Sequence, residues 1–331
     1  MEKHRQFLYA LIASAVVTAM IGAGFLRRED RWAQDWIFQR QGSTTTDIVI
    51  IGIDEEALEE LGPYNTWDRN VMASALEALA ADPDKKPAVT AIDVLYTGHT
   101  SMEADLRLAA AAQMYLQSPT SDWEPGEADD GADFLKEAAD GDPLYYIPYT
   151  GRPGDFYDGV SIAQVIRGEV PADYWAGRIV LIGPYAVGLQ DAYFTPIDKG
   201  EQMYGVEIQA NIIQSFLEKN VKKEIPDAPQ LAVVFVLCAA SMVLFLNQLV
   251  LNASLSAGLL AVLCPVGTVN LYKVGFVTHP LWGAVGVAAA YVLAMVGHYG
   301  RTVRERQALA GAGEDRRRAG AGQPHPGKRA S

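Results

Sequence analysis

Gly177–Leu217 reads GRIVLIGPYAVGLQDAYFTPIDKGEQMYGVEIQANIIQSFL, and the pattern of this stretch decides the fold. Arg178 to Gly183 is a short β-branched apolar run closed by glycine, the pattern of a buried strand. A loop with Gly188, Asp191, Thr195, Pro196 and Gly200 follows. Gly205 then opens a helix in which Val206, Ala210, Ile213 and Leu217 recur at the helical period, with Ile212 and Phe216 beside them. Strand, long loop and helix in this order predict one unit of an α/β domain.

Two upstream stretches supply its partners. DIVIIGID at Asp47–Asp54 and PAVTAIDVLY at Pro87–Tyr96 both read as buried strands. Strands alternating with helices predict a mostly parallel sheet, with 48–53, 89–93 and 179–182 as its central strands. Asp54 precedes the short helix EEALEELG, where a carboxylate either caps free backbone N–H groups or faces a ligand. Asp68 is placed to cap a helix over 70–80. Arg69, in the first turn of that helix, runs against its dipole and calls for a partner, either an internal carboxylate or an anionic ligand. Asp93 sits near the carboxyl end of the second strand. Thr100–Glu103 fits a capping box for a helix reaching Leu116. Residues 118–142, rich in Asp, Glu, Gly and Pro, read as a surface segment. Residues 144–149 resume as a strand, 151–157 as a loop and 160–167 as a short helix.

The rest of the 331 residues are dominated by apolar runs. Residues 7–26, 231–251, 255–272 and 276–299 each come near the roughly 20 residues that a bilayer core requires. The first is too long for a signal peptide and is followed by Arg27-Arg28-Glu29-Asp30 rather than a small-x-small cleavage site, so it reads as a retained anchor. Beyond it, Trp32, Trp36 and Ile37 share a helical face, which suits either the membrane interface or packing on the domain. Residues 27–230 carry 16 Lys and Arg against 36 Asp and Glu, a net charge of −20, whereas residues 301–331 carry a net charge of +5. Basic segments stay inside and long domains cross regardless of charge. The expected layout is an N-terminal end and first span over 1–26, an extracytoplasmic α/β domain over 27–230, three further spans over 231–299, and an irregular basic cytoplasmic tail over 300–331. Both termini are then cytoplasmic and the protein is a multi-pass component of the cell membrane.

The acidic domain excludes nucleic acid as its partner. It has no cysteine, because Cys238 and Cys264 both fall in apolar runs, so its core is expected to hold without disulfides and a zinc-thiolate site is excluded. Its one histidine, His99, argues against a histidine-built metal or catalytic centre. No phosphate-binding loop, G-x-S-x-G, H-E-x-x-H or dinucleotide fingerprint is present; Gly183–Gly188 lacks the Lys-Ser/Thr ending and the following helix that a phosphate loop needs.

Taken in order, DIVIIGIDEEALEELG, TWDR, SIAQVIRGEVP, IVLIG, GLQDAYFTPI and YGVEIQANIIQSFL resemble the CHASE2 domain over 33–220, with Tyr204 where that family often has proline. The resemblance implies an extracytoplasmic sensory module of bacterial receptors, whose cytoplasmic output is a nucleotide cyclase, a histidine or Ser/Thr kinase, or a diguanylate cyclase. No such domain follows; the Gly, Ala, Arg and Pro composition after Arg306 reads like a frame change that removed one. Three functions stay in view: a sensor for an unidentified extracytoplasmic ligand, a carboxylate enzyme of glycosidase type, and a membrane scaffold without ligand. No catalytic residue, metal or cofactor is assigned. A homodimer and a separate signalling partner are both compatible with the reading. Ligands of α/β sheets bind beyond the carboxyl ends of the strands, so Asp54, Arg69, Asp93, Asp191 and Thr195 are the ligand-facing candidates; Asp191 and Thr195 have the alternative of bonding their own loop.

Overall fold

A computed structural model describes residues 2–96, 101–116 and 145–321. The chain forms two compact units. One comprises Gln34–Glu224 with Tyr272–Val277, and the other Met1–Ala33, Ile225–Leu271 and Thr278–Ser331. Residues 272–277 thus group with the first unit. The chain is mostly helical, and its parallel sheet is small.

In the first unit, β1 (Ile48–Ile53) leads through α3 (Glu55–Leu61) and α4 (Arg69–Leu79) to β2 (Val89–Ile92) and α5 (Met102–Leu116). After β3 (Tyr145–Tyr146) come α6 (Ile162–Ile166), β4 (Ile179–Pro184), the ribbon β5 (Ala192–Tyr193) and β6 (Met203–Tyr204), α7 (Gly205–Leu217) and β7 (Lys222–Glu224). The main sheet has the order β1-β4-β2, all parallel, with Ile48 and Val89 both opposite Ile179. Of the three strands expected to be central, only β4 is. The outer edge of β1 is taken by the α6 entry, where the Gly52 N–H donates to the Val160 carbonyl at 2.9 Å. β2 lies at the other edge, with Val89 half exposed.

Helices cover both faces. Val49, Ile51, Ile53, Val180 and Ile182 pack against Met72 and Leu76 of α4 and Ile162 and Val165 of α6. Ile48, Ile50 and Leu181 pack against Val206 and Ala210 of α7. Period-2 alternation on β1 and β4 therefore feeds two apolar layers, which is why both strands read as continuous hydrophobic runs. The helix starts follow local chemistry. Asp54 and Asp68 cap α3 and α4, and Ser161 with Gln164 forms a capping box on α6. For α5 the cap comes from Ser101, whose Oγ accepts from the Ala104 N–H at 3.1 Å. Thr100 and residues 118–142 lie outside the described residues. Of the strand expected over 144–149, the described residues from 145 on form only β3, which pairs antiparallel with β7.

The second unit contains α1 (Glu2–Gly22), the start of α2 (Arg27–Phe38), α8 (Asp227–Leu246), α9 (Val250–Lys273, except its last two residues) and α10 (Pro280–Ala321). Among the described residues, four helices are long and apolar enough to cross a membrane: His4–Gly22, Asp227–Leu246, Val250–Lys273 and Pro280–Gly311. Their contacts use small residues, as packing between helices in lipid requires. Ala10, Cys238, Ala253, Ala257, Ala290 and Ala294 are buried together with Met242 and Phe245. The fourth apolar run begins later than its composition suggests. Gly275, at φ +103°, ends the turn after α9. Phe276 and Val277 form β8, parallel to β7 in the first unit, and Pro280 opens α10. Trp32 and Trp36 are about 70% exposed (69% and 73%), so neither packs into a core. The tail expected to be irregular from 300 continues α10 as helix to Ala321. Ala, Arg, Glu and Gln are strong helix formers, and a helix already nucleated in the apolar span extends through them despite the cost of about 1 kcal/mol at each glycine.

Candidate functional site

Three of the candidate residues follow the carboxyl ends of the sheet strands. Asp54, just after β1, accepts the Ala57 N–H at 3.0 Å, the Tyr157 hydroxyl at 2.8 Å and the Ser161 hydroxyl at 2.6 Å. Its carboxylate is thus occupied by three donors, which makes it a cap and a tie between β1 and the 157–161 segment. Gly52 allows this, because a Cβ there would lie 2.8 Å from the Tyr157 hydroxyl. Burial raises the Tyr157 phenol, and the Asp54 carboxylate raises it further, so it remains a donor. Its ring packs on Tyr185 at 3.8 Å between centroids, and Tyr185 packs on Tyr204 at 4.3 Å.

Asp93 and Asp191 come together on the other side of β4. Burial raises the Asp93 carboxyl, with a further push from the charge of Asp191. The Asp191 carboxylate lies against the start of α7: a Cβ on Gly205 would come within 2.4 Å of it. The Gly205 N–H donates to the Asp191 carbonyl at 2.9 Å. A Cβ on Gly183 would meet Val206 at 2.9 Å and the Asp93 Cβ at 3.2 Å, so strand, loop and helix approach closely only because these two positions lack side chains. Thr195 belongs to a turn closed by Asp198, whose carboxylate accepts the Thr195 N–H and the Gly200 N–H, both at 2.7 Å.

The sequence reading missed the polar face of α7. Glu207, Asn211, Gln214 and Ser215 are buried, whereas Leu217 is half exposed. The Glu207 carboxylate accepts the Gly154 N–H at 2.8 Å, and burial raises its pKa against the effect of its backbone donors. Asn211 accepts the N–H groups of Thr150 and Gly151 at 2.9 Å. Gln214 donates to the Ser43 carbonyl at 3.0 Å and accepts the Thr45 N–H at 3.1 Å. These side chains clamp the segments 43–45 and 148–154. The signal was present as polar residues at 207, 211 and 215, a four-residue spacing inside an otherwise apolar helix.

Arg69 lies elsewhere. At the first turn of α4 it pairs with Asp105 of α5, the internal carboxylate that its position against the helix dipole called for. Its guanidinium is 5.3 Å from the centre of the Tyr96 ring. Nearby, Arg107 bonds Glu77 at 2.6 and 3.0 Å and Ser74 at 3.0 Å, fastening α5 to α4. Arg69 borders a cleft of about 190 Å³ whose walls include Tyr64, Trp67, Leu95 and Tyr96. Tyr64 and Trp67 pack 5.4 Å apart, and the Trp67 indole donates to the Gly62 carbonyl at 2.8 Å. Burial pushes the Tyr96 phenol up to about 12, with Tyr64 adding to the shift and Arg69 opposing it. The cleft opens where β1 and β2 have delivered the chain at their carboxyl ends, the position at which α/β sheets receive ligands. Among the described residues no group of three or more His, Cys, Asp and Glu is arranged to hold a metal ion.

The first unit thus combines a small parallel sheet with an open cleft, and the described residues of the chain include four helices apolar enough to cross a membrane. The chain belongs to the CHASE2 domain family, whose model matches residues 11–122 and 105–246. CHASE2 is a sensory domain family of receptors. No curated protein and no solved structure matches the chain.

Proposed function

We propose that this chain is the input module of a membrane receptor, in which the cleft beside Arg69 receives an extracytoplasmic ligand and the four apolar helices carry the response across the membrane. The observation that carries the reading is the cleft itself: aromatic walls and an arginine at the carboxyl ends of β1 and β2. Family membership supports the sensory role. The charge distribution supports placing residues 27–230 outside and both termini inside, because the two ends are basic and a long segment crosses largely regardless of its charge. Asp93 and Asp191, which come together at the sheet end, and Thr195, in the turn closed by Asp198, are further ligand-facing candidates in this reading, and Asp54 serves the fold. The chain itself catalyses nothing in this reading. Its output lies with a cytoplasmic nucleotide cyclase or kinase of the kind the family's receptors use, reached through a homodimer or a separate signalling partner.

The test uses the full-length protein purified in mild detergent. Small molecules released from wild type, Trp67→Ala and Arg69→Gln on denaturation are compared by mass spectrometry. A compound retained by wild type and lost from both variants supports the reading. Identical profiles from three folded proteins would leave the cleft without a ligand and favour the scaffold function.

A further inference from the structure

Two carboxylates of the membrane unit, at or near the starts of helices, converge on one imidazole. His279, immediately before α10, pairs through Nδ1 with the Asp30 carboxylate of α2 and approaches Asp227, the first residue of α8, at 3.2 Å through Nε2. Its ring stacks on Trp282 at 3.7 Å with the planes 7° apart. Its N–H is held by the Gln230 side chain at 2.9 Å. Asp30 is almost completely buried, His279 is nearly so, and Asp227 is 63% exposed. The second oxygen of Asp30 accepts the Leu281 N–H at 2.9 Å, in the first turn of α10. Arg28 and Glu29 border a hollow beside Leu281. The chain leaves the first apolar helix shortly before Asp30 and enters the second and fourth at Asp227 and just after His279, so all three residues lie at one face of the membrane.

We propose that Asp30, His279 and Asp227 form a proton-operated clip that ties α2, α8 and α10 together when the imidazole is doubly protonated and releases α8 when it is not. An imidazolium donates from both nitrogens and satisfies both carboxylates. A neutral imidazole donates from one. Asp30 is buried and also fixed to α10, so it keeps the Nδ1–H, because stranding a buried carboxylate costs more than freeing an exposed one. The Nε2 proton passes to water on the exposed side, and the Nε2 lone pair then faces the Asp227 carboxylate, which repels it.

Burial lowers the pKa of His279, but hydrogen bonding and charge from Asp30 and Asp227 together outweigh it, and the net direction is upward from 6.5. The clip therefore contributes its full stability below 6.5 and loses it as pH rises through the raised value. Each unit of separation between the closed and open values is a tenfold change in the ratio of the two forms. The free end is the start of α8, and α10 runs without a break from this point through the membrane to Ala321. The pH at that membrane face is then an input separate from any ligand in the cleft.

Full-length protein labelled with 13C at the histidine ring and held in lipid nanodiscs is titrated from pH 5 to 9.5 by NMR. Comparison with His279→Gln identifies the resonance. A midpoint above 6.5, moved downward in Asp227→Asn, is the expected result. A midpoint at or below 6.5, no titration in the range, or a midpoint unmoved in Asp227→Asn overturns the proposal. Thermal unfolding adds a second reading: wild type loses melting temperature between pH 6 and 9, and His279→Gln does not share that loss. Equal losses in the two proteins also overturn it. If His279→Gln does not fold, the resonance is identified through its shift in Asp227→Asn, and the wild-type midpoint alone decides.

Discussion

Asp54 shows how one carboxylate can look like a ligand residue and serve the fold. It stands where α/β sheets bind ligands, yet it takes three donors of its own chain. Asp54→Ala removes a cap, worth about 1 kcal/mol, and leaves the Tyr157 and Ser161 hydroxyls without their acceptor, at a further cost of about 1 kcal/mol or more. The full-length variant is expected to unfold at a clearly lower temperature, with Asp54→Asn retaining part of the difference. Melting curves in detergent check this, and an unchanged Asp54→Ala would show that the carboxylate is not structural. Arg69 is the reverse case. Its internal partner Asp105 satisfies the charge, but its guanidinium still borders the open cleft.

At the scale of elements, β4 organises the first unit, since β1 and β2 flank it and α7 crosses one of its faces. Val180 is fully buried between β1 and β2 and faces the α4 and α6 layer. Val180→Asp places a charge with no counterion in that layer, at a cost of several kcal/mol. The expected outcome is loss of the folded protein from the membrane fraction, or complete protease sensitivity of the solubilised chain. A variant that unfolds cooperatively near the wild-type temperature would contradict the two-layer core. α7 carries the opposite lesson. Besides Val206 and Ala210, which pack on the sheet, it buries Glu207, Asn211 and Gln214, which meet backbone groups of surrounding loops, so its hydrophobic period alone understates how much of the helix is buried.

Across the whole molecule, the orientation proposed for the apolar helices rests on the Lys and Arg residues at the two ends of the chain. Alkaline phosphatase joined after Asp130 is expected to be active, because that enzyme folds only outside the cytoplasm, and joined after Arg306 to be inactive. The opposite pair of activities would reverse the orientation, and with it the side from which both the cleft and the His279 clip receive their inputs.

The strands at 48–53 and 179–182, the start of α7 at Gly205, the caps at Asp54 and Asp68, and the four apolar helices were all legible in the sequence. Each depends on residues within a few positions of one another: a run, a period, or a side chain reaching the next turn. Tertiary structure alone decided the order β1-β4-β2, the pairing of Arg69 with Asp105, the approach of Asp93 to Asp191 and the placement of 276–277 in a ribbon with β7. It also decided the meeting of Asp30 with His279, which stand 249 residues apart. The reason is physical. A carboxylate's role is set by the donors that reach it and by its burial, and when those donors come from distant parts of the chain, no local pattern encodes which of several acidic residues they will meet.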